Sequence, residues 1–255
     1  MGLPGHIDEL VRSARERARK LPAREPKARA ERPSFVEALR GKAKLDVIAE
    51  YKQRSPSLGD IAERSLTEQV GRYENAGAAA LSVLTEPTRF KGSYEDLETA
   101  TAAVRIPVLM KDFVVDPAQV SEAAYRGAGA VLFIVRCLSR QELAELAHAA
   151  SELDLTPLVE CHAASDLERA VDIDNAVIGV NNRDLDTLEI DRDLATRLLP
   201  KIPADRVVVA ESGYLTADDV RNVRGVADAV LIGSALMKLD DPAPLIRQIR
   251  NEVRS

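Results

Sequence analysis

The sequence predicts a (β/α)8 TIM barrel with an N-terminal helical extension, and three observations carry that expectation. First, eight short apolar runs occur at residues 46–51, 80–84, 108–111, 131–135, 157–160, 177–180, 207–210 and 229–232. Val, Ile and Leu dominate them without the alternation of a half-exposed strand, which marks strands buried on both faces of a parallel sheet. Second, amphipathic stretches separate the runs, so strand and helix alternate eight times. Third, a length of 255 residues suits one such barrel. An open doubly wound sheet is the structural rival. It would carry a glycine-rich first turn, which this sequence does not have.

The elements follow in order. Residues 1–45 form the expected helical extension and residues 46–255 the barrel. Together they make one domain, because no Gly/Ser linker divides them. The first 32 residues are rich in arginine and lysine with acidic residues interleaved, which reads as a solvated helix face rather than an anion-binding arm. Ser34-Phe35-Val36-Glu37 is a capping box and starts a short helix over 35–40. Ser139-Arg140-Gln141-Glu142 and Ser165-Asp166-Leu167-Glu168 are further capping boxes, and Asp116-Pro117 places an N-cap before a first-turn proline.

Composition excludes several classes of function. A net charge of −6 and a pI near 5.3 argue against nucleic acid as the partner. No apolar run approaches the roughly 20 residues of a membrane span, and no secretory signal opens the chain, so the cytoplasm is the expected address. Cys137 and Cys161 suggest no disulfide framework, and His6, His148 and His162 lack the spacing of metal ligands. Cys161-His162 reads as an ordinary loop pair. No metal and no cofactor are expected.

The strand ends carry the chemistry. Glu50 and Lys52 stand two apart and share a face at the carboxyl end of the first strand. Alone, the pair is as readily a surface salt bridge. The pattern recurs, however, with Lys111 and Phe113 after the third run, Glu160 at the end of the fifth, and Asn181 and Arg183 at the sixth. Glu211-Ser212-Gly213 follows the seventh and Gly233-Ser234 the eighth. Charge at the end of a buried strand is costly unless paired or used. Two lysines, one arginine and three glutamates offer proton donors, proton acceptors and an anion clamp; a Schiff base on Lys52 or Lys111 is the competing role. The glycines after strands seven and eight stand where barrels often hold phosphate on backbone N–H groups.

These stretches resemble the indole-3-glycerol-phosphate synthase family. The resemblance is carried by Ile48-Ala49-Glu50-Tyr51-Lys52 with Ser55-Pro56-Ser57, Leu84-Thr85-Glu86 with Phe90-Lys91-Gly92-Ser93, and Leu109-Met110-Lys111-Asp112-Phe113. It continues through Leu158-Val159-Glu160, 179–185, Ala210-Glu211-Ser212-Gly213 and Leu231-Ile232-Gly233-Ser234, in order along residues 48–237. It implies closure of 1-(2-carboxyphenylamino)-1-deoxyribulose 5-phosphate to an indole, with loss of carbon dioxide and water.

The resemblance also implies roles. Lys111 is the general acid, Glu160 an acid/base residue, and Lys52 with Glu50 an assisting pair. Ser55, Ser57, Phe90, Phe113, Leu132, Asn181, Arg183, Glu211 and Ser212 contact substrate, and Gly213, Gly233 and Ser234 hold phosphate. The implied protein is a cytoplasmic monomer taking a small phosphorylated substrate, open to association with other enzymes of tryptophan biosynthesis. Leu58, Cys161-His162 and Tyr214 depart from the family pattern, an aliphatic residue being usual at 214. The alternatives are a sister phosphate-binding barrel such as phosphoribosylanthranilate isomerase, or a catalytically silent barrel that binds a phosphorylated metabolite.

Overall fold

The computed structural model describes residues 6–25, 34–40, 44–55, 59–61 and 64–251. Eight parallel strands close on themselves: β1 Asp46–Tyr51, β2 Ala80–Leu84, β3 Val108–Lys111, β4 Ala130–Ile134, β5 Thr156–Cys161, β6 Val177–Asn181, β7 Val208–Glu211 and β8 Ala229–Ile232. β1 pairs with both β2 and β8, which closes the barrel and removes the open sheet from consideration. Strands β6 and β7 each run one residue further than the apolar pattern. Asn181 and Glu211 pair across them, so the ladder extends into their polar ends. Val135 leaves β4 and starts a 3-10 turn through Cys137.

Before β1 come α1 His6–Ala18 and α2 Phe35–Leu39; between and after the strands lie α3 Leu66–Ala76, α4 Pro87–Phe90, α5 Tyr94–Ala103, α6 Pro117–Tyr125, α7 Arg140–Glu152, α8 Ala164–Ala170, α9 Leu194–Leu198, α10 Ser234–Lys238 and α11 Ala243–Asn251. The Ser139–Glu142 capping box is complete at the start of α7, with 3.2 and 2.7 Å bonds in the two directions. Asp116 caps α6 ahead of Pro117, and Ser34 accepts the Glu37 N–H at 3.2 Å. The expected box at Ser165 is wrong. Helix α8 begins two residues earlier, because the Asp166 carboxylate accepts the backbone N–H groups of both His162 and Ala163, at 2.8 and 3.0 Å. Alanine at the cap gave no side-chain signal for that start.

The basic face of α1 is not simply solvated. Arg17 makes a two-pronged pair with Asp112 at 2.8 and 2.9 Å, and Arg15 pairs with Glu142 at 2.7 Å. Glu9 accepts from Arg89 at 3.1 Å. Beyond the helix, Arg24 bonds Glu122 at 2.7 Å and stacks over the Tyr125 ring. Since Asp112 directly follows β3, these contacts lay α1 across the carboxyl-terminal mouth of the barrel.

Alternation along each strand, combined with the register, sorts the interior into levels of four residues from alternate strands. Ile48, Leu109, Leu158 and Val209 fill one level from the odd strands, and Ser82, Leu132, Gly179 and Leu231 the next from the even strands. Above them the odd strands contribute Glu50, Lys111, Glu160 and Glu211. A floor that is apolar but for Ser82 thus gives way to a level made entirely of charge.

Candidate active site

Lys111 is the hub of that charged level. Its Nζ lies 2.7 Å from Glu211 Oε2, and 3.7 Å from both Glu50 Oε2 and Glu160 Oε2. Glu50 reaches a second cation through its other oxygen, 2.6 Å from Lys52 Nζ. Burial works against charge on Lys111, yet Glu211, Glu50 and Glu160 together outweigh it and hold the pKa above that of an ordinary lysine. For Glu50, burial is likewise overcome by Lys52 and Lys111, which draw the carboxyl below its usual range. Glu211 goes the other way: burial, with Glu160 nearby, pushes it up to about 7 despite Lys111. One site therefore keeps a lysine charged, one carboxylate ionised and another ready to take a proton near neutrality.

Two glycines make room for this level. A Cβ at Gly179 would run into Glu211 Oε1, and one at Gly233 into Glu50 Oε1. Both carboxylates fill the space that the missing side chains leave open.

Above the charges opens a cavity of about 420 Å³. Its wall includes Glu50, Lys52, Ser55, Phe90, Lys111, Phe113, Leu132, Glu160, Asn181, Arg183, Ser212, Gly213, Gly233 and Ser234, so fourteen of the sixteen expected site residues meet there. Ser57 lies outside the described residues, as does Leu58. Glu211 is present but sits behind Lys111, off the cavity wall. Arg183 reaches the cavity with Nη1 bonded to the Leu188 carbonyl at 2.8 Å, and burial lowers its pKa. Ser212 and Gly213 both take the left-handed conformation, at φ of 65° and 88°. At Gly213 a Cβ would approach Ile190 Cγ2 to 2.9 Å, which together with the positive φ favours glycine.

Several lining residues escaped the sequence reading. Leu10 comes from α1, and Leu185, Leu188 and Ile190 from the loop after β6; apolar loop residues carry no chemical signal in sequence. Asp112 was quoted only as part of a motif. It binds Arg17, accepts from Thr85 Oγ1 at 3.0 Å and caps the Phe113 N–H at 2.7 Å, coupling α1 to the end of the Lys111 strand. Cys161-His162 is no loop pair. Cys161 closes β5, and His162 is buried with Nε2 3.3 Å from Glu160 Oε1; burial takes the imidazole down to about 4, so it is neutral at pH 7. Among the described residues no group of three or more His, Cys, Asp or Glu side chains is placed to hold a metal ion. No helix among them is long and apolar enough to cross a membrane.

The model of one protein family, indole-3-glycerol phosphate synthase, matches residues 6–249. The chain belongs to the indole-3-glycerol phosphate synthase family. Curated relatives agree. The indole-3-glycerol phosphate synthase of Leifsonia xyli subsp. xyli is 48% identical over 241 residues, covering 92% of this chain and 93% of that protein. That of Opitutus terrae is 47% identical over 226 residues, covering 86% and 85%.

Solved structures share the barrel at low identity. An Aquifex aeolicus VF5 protein superposes with a TM-score of 0.61 at 17% identity, covering 99% of this chain and all of that one. Phosphoribosylanthranilate isomerase from Thermotoga maritima gives 0.58 at 15%, covering 80% and 96%. At such identities the likeness concerns the fold alone, and it lends no weight to the isomerase alternative.

Proposed function

We propose that the residues around Lys111 carry out the family's ring closure, converting 1-(2-carboxyphenylamino)-1-deoxyribulose 5-phosphate to indole-3-glycerol phosphate. The observation that carries this reading is one half-buried ammonium within 3.7 Å of carboxylates from three different strands, at the floor of a cavity sized for the substrate.

In the first half of the reaction the ring carbon that bears the carboxylate bonds to the substrate's carbonyl carbon. Lys111 gives a proton to the carbonyl oxygen as the electron pair moves onto it. Carbon dioxide then leaves, and the electrons of its bond restore the aromatic ring. In the second half the new hydroxyl departs as water after taking a proton, and loss of a proton from the adjacent carbon forms the double bond. Glu160 serves as the acid/base group, and Lys52 with Glu50 assists the dehydration. Glu211 acts through Lys111. When it takes a proton near neutrality, Lys111 loses its nearest negative neighbour and becomes a stronger acid.

Binding divides between two ends of the cavity. Phe90, Phe113 and Leu132 pack on the aromatic ring, the Arg183 fork suits the ring carboxylate, and Ser55, Asn181 and Ser212 meet the polar chain. Gly213, Gly233 and Ser234 take the phosphate. In this reading residues 1–45 are the helical extension and 46–255 the catalytic barrel of one domain. The protein works as a monomer in the cytoplasm on this small phosphorylated substrate.

Incubating the pure protein with the substrate, chelator present, and following indole fluorescence tests the proposal. Product formation is the expected result. Tight, phosphate-dependent binding with no product would replace the enzyme with a silent binder.

A further inference from the structure

The Ser212–Gly213 turn is held in place by a buried side-chain cluster that the proton transfers do not use. Left-handed backbone is disfavoured for a residue with a Cβ, so Ser212 keeps its φ of 65° only where its surroundings impose it. Asn182 does so. Its Nδ2 donates to the Ser212 carbonyl and to the Tyr214 hydroxyl, each at 3.1 Å, while its Oδ1 accepts the Ala195 N–H at 2.9 Å. Its backbone N–H donates to the Glu211 carbonyl, and its own carbonyl accepts from Asp191, both at 2.9 Å. One buried amide thereby fastens the end of β6, the start of α9 and the end of β7 to one another.

Tyr214 completes the arrangement. It is buried, lines the cavity beside Ser212 and Gly213, and its hydroxyl accepts the amide proton of Asn182 that the Ser212 carbonyl does not take. An aliphatic side chain at 214 would leave that buried proton without this acceptor, and the amide free to turn away from Ser212. The turn that Asn182 and Tyr214 hold is the one that presents backbone to the phosphate end of the cavity.

We propose that Asn182 and Tyr214 are positioning residues that lock the Ser212–Gly213 turn in its left-handed form and so set how tightly the substrate's phosphate is bound. The inference rests on the reading that Gly213, Gly233 and Ser234 hold that phosphate. It adds two residues whose side chains hydrogen-bond neither Lys111 nor the carboxylates around it.

The test is steady-state kinetics with inorganic phosphate as competing ligand, on wild type, Tyr214→Phe, Asn182→Ala, the double variant and Ser234→Asp. Removing the Tyr214 hydroxyl raises KM and the phosphate inhibition constant together by about 3- to 10-fold and changes kcat by less than about twofold. Asn182→Ala raises both further, and the double variant is no worse than Asn182→Ala, because Tyr214 acts through that amide. A fall in kcat at constant KM, or a rise in KM with phosphate inhibition unmoved, would overturn the lock. Should Asn182→Ala fail to fold, the Tyr214→Phe result decides alone. Ser234→Asp separates the two levels of the argument. If its added carboxylate leaves phosphate inhibition untouched, the phosphate reading fails and the lock with it. If it abolishes inhibition while Tyr214→Phe and Asn182→Ala do not weaken it, only the lock fails.

Discussion

The odd strands β1, β3, β5 and β7 bring Glu50, Lys111, Glu160 and Glu211 to a single level of the barrel, whereas the even strands bracket that level with Ser82, Leu132, Gly179 and Leu231 below and Leu84, Ile134 and Asn181 above. Charge comes from one set of strands, and space and apolar wall from the other. The alternation of a (β/α)8 barrel makes this division possible. Neighbouring strands are staggered, so residues from alternate strands meet in a layer while the strand between them contributes just above or below. A cluster of three carboxylates and a lysine therefore needs no neighbouring strand to carry a second charge into the same layer. It does need the even strands to leave the volume open.

The largest effect is expected on the odd side. Lys111→Ala removes the group that touches all three carboxylates, and kcat falls by on the order of 10²-fold or more, as for loss of a general acid. Single-turnover measurement of indole formation, with a thermal melt to confirm the fold, checks it. Near-normal turnover would move the proton donor elsewhere and leave the odd-strand level as a structural ion cluster.

The even side should answer more weakly, and through the odd side. In Gly179→Ala the added methyl occupies the volume of Glu211 Oε1, with Leu158 Cδ1 only 3.4 Å off, so Glu211 must swing away from Lys111. Overpacking of this kind destabilises by about 1–3 kcal/mol. The displaced carboxylate should also lower kcat by roughly tenfold, well short of the loss for the general acid itself. Turnover and melting temperature measured together discriminate. A variant that loses stability but keeps full kcat would show that the even strands supply packing alone.

The same division explains what could be read from the chain. Short continuous runs of Val, Ile and Leu ending in Glu, Lys or Asn are visible in one dimension, because burial on both faces and a polar tip are local properties; hence the eight strands and the Lys111 ring were legible. Gly179 was not, since a glycine in a buried strand looks like a weak point until the side chain that fills its space is known. Arg17 and Asp112 stand far apart in sequence, and nothing local in an arginine-rich helix says which acid it will meet. Glu211 was expected to contact substrate. Its position at the strand tip was correct, but the 2.7 Å bond that turns it toward Lys111 depends on a residue four strands earlier.

The smallest expected effect concerns pH, and it isolates Glu211 within the odd-strand level. Its folded pKa, near 7, lies above the ordinary value of 4.5, so between those limits the folded chain binds more protons than the unfolded one. Stability must then fall as pH rises across that window, with no effect from this group below about 4.5 and the full penalty present above about 7. Glu50 contributes no slope there. Its depressed pKa gives stability that is already complete above 4.5 and is lost only as pH falls through the folded value. Lys111, raised above 10.5, acts only at high pH. Glu211→Gln cannot ionise, so denaturant melts at pH 5 and pH 8 should show the wild type losing on the order of 2 kcal/mol more than the variant over that interval. Parallel losses in the two proteins would mean that Glu211 is ionised throughout. Lys111 would then keep its nearest negative neighbour across the whole window, and the link from Glu211 to its acidity would fail.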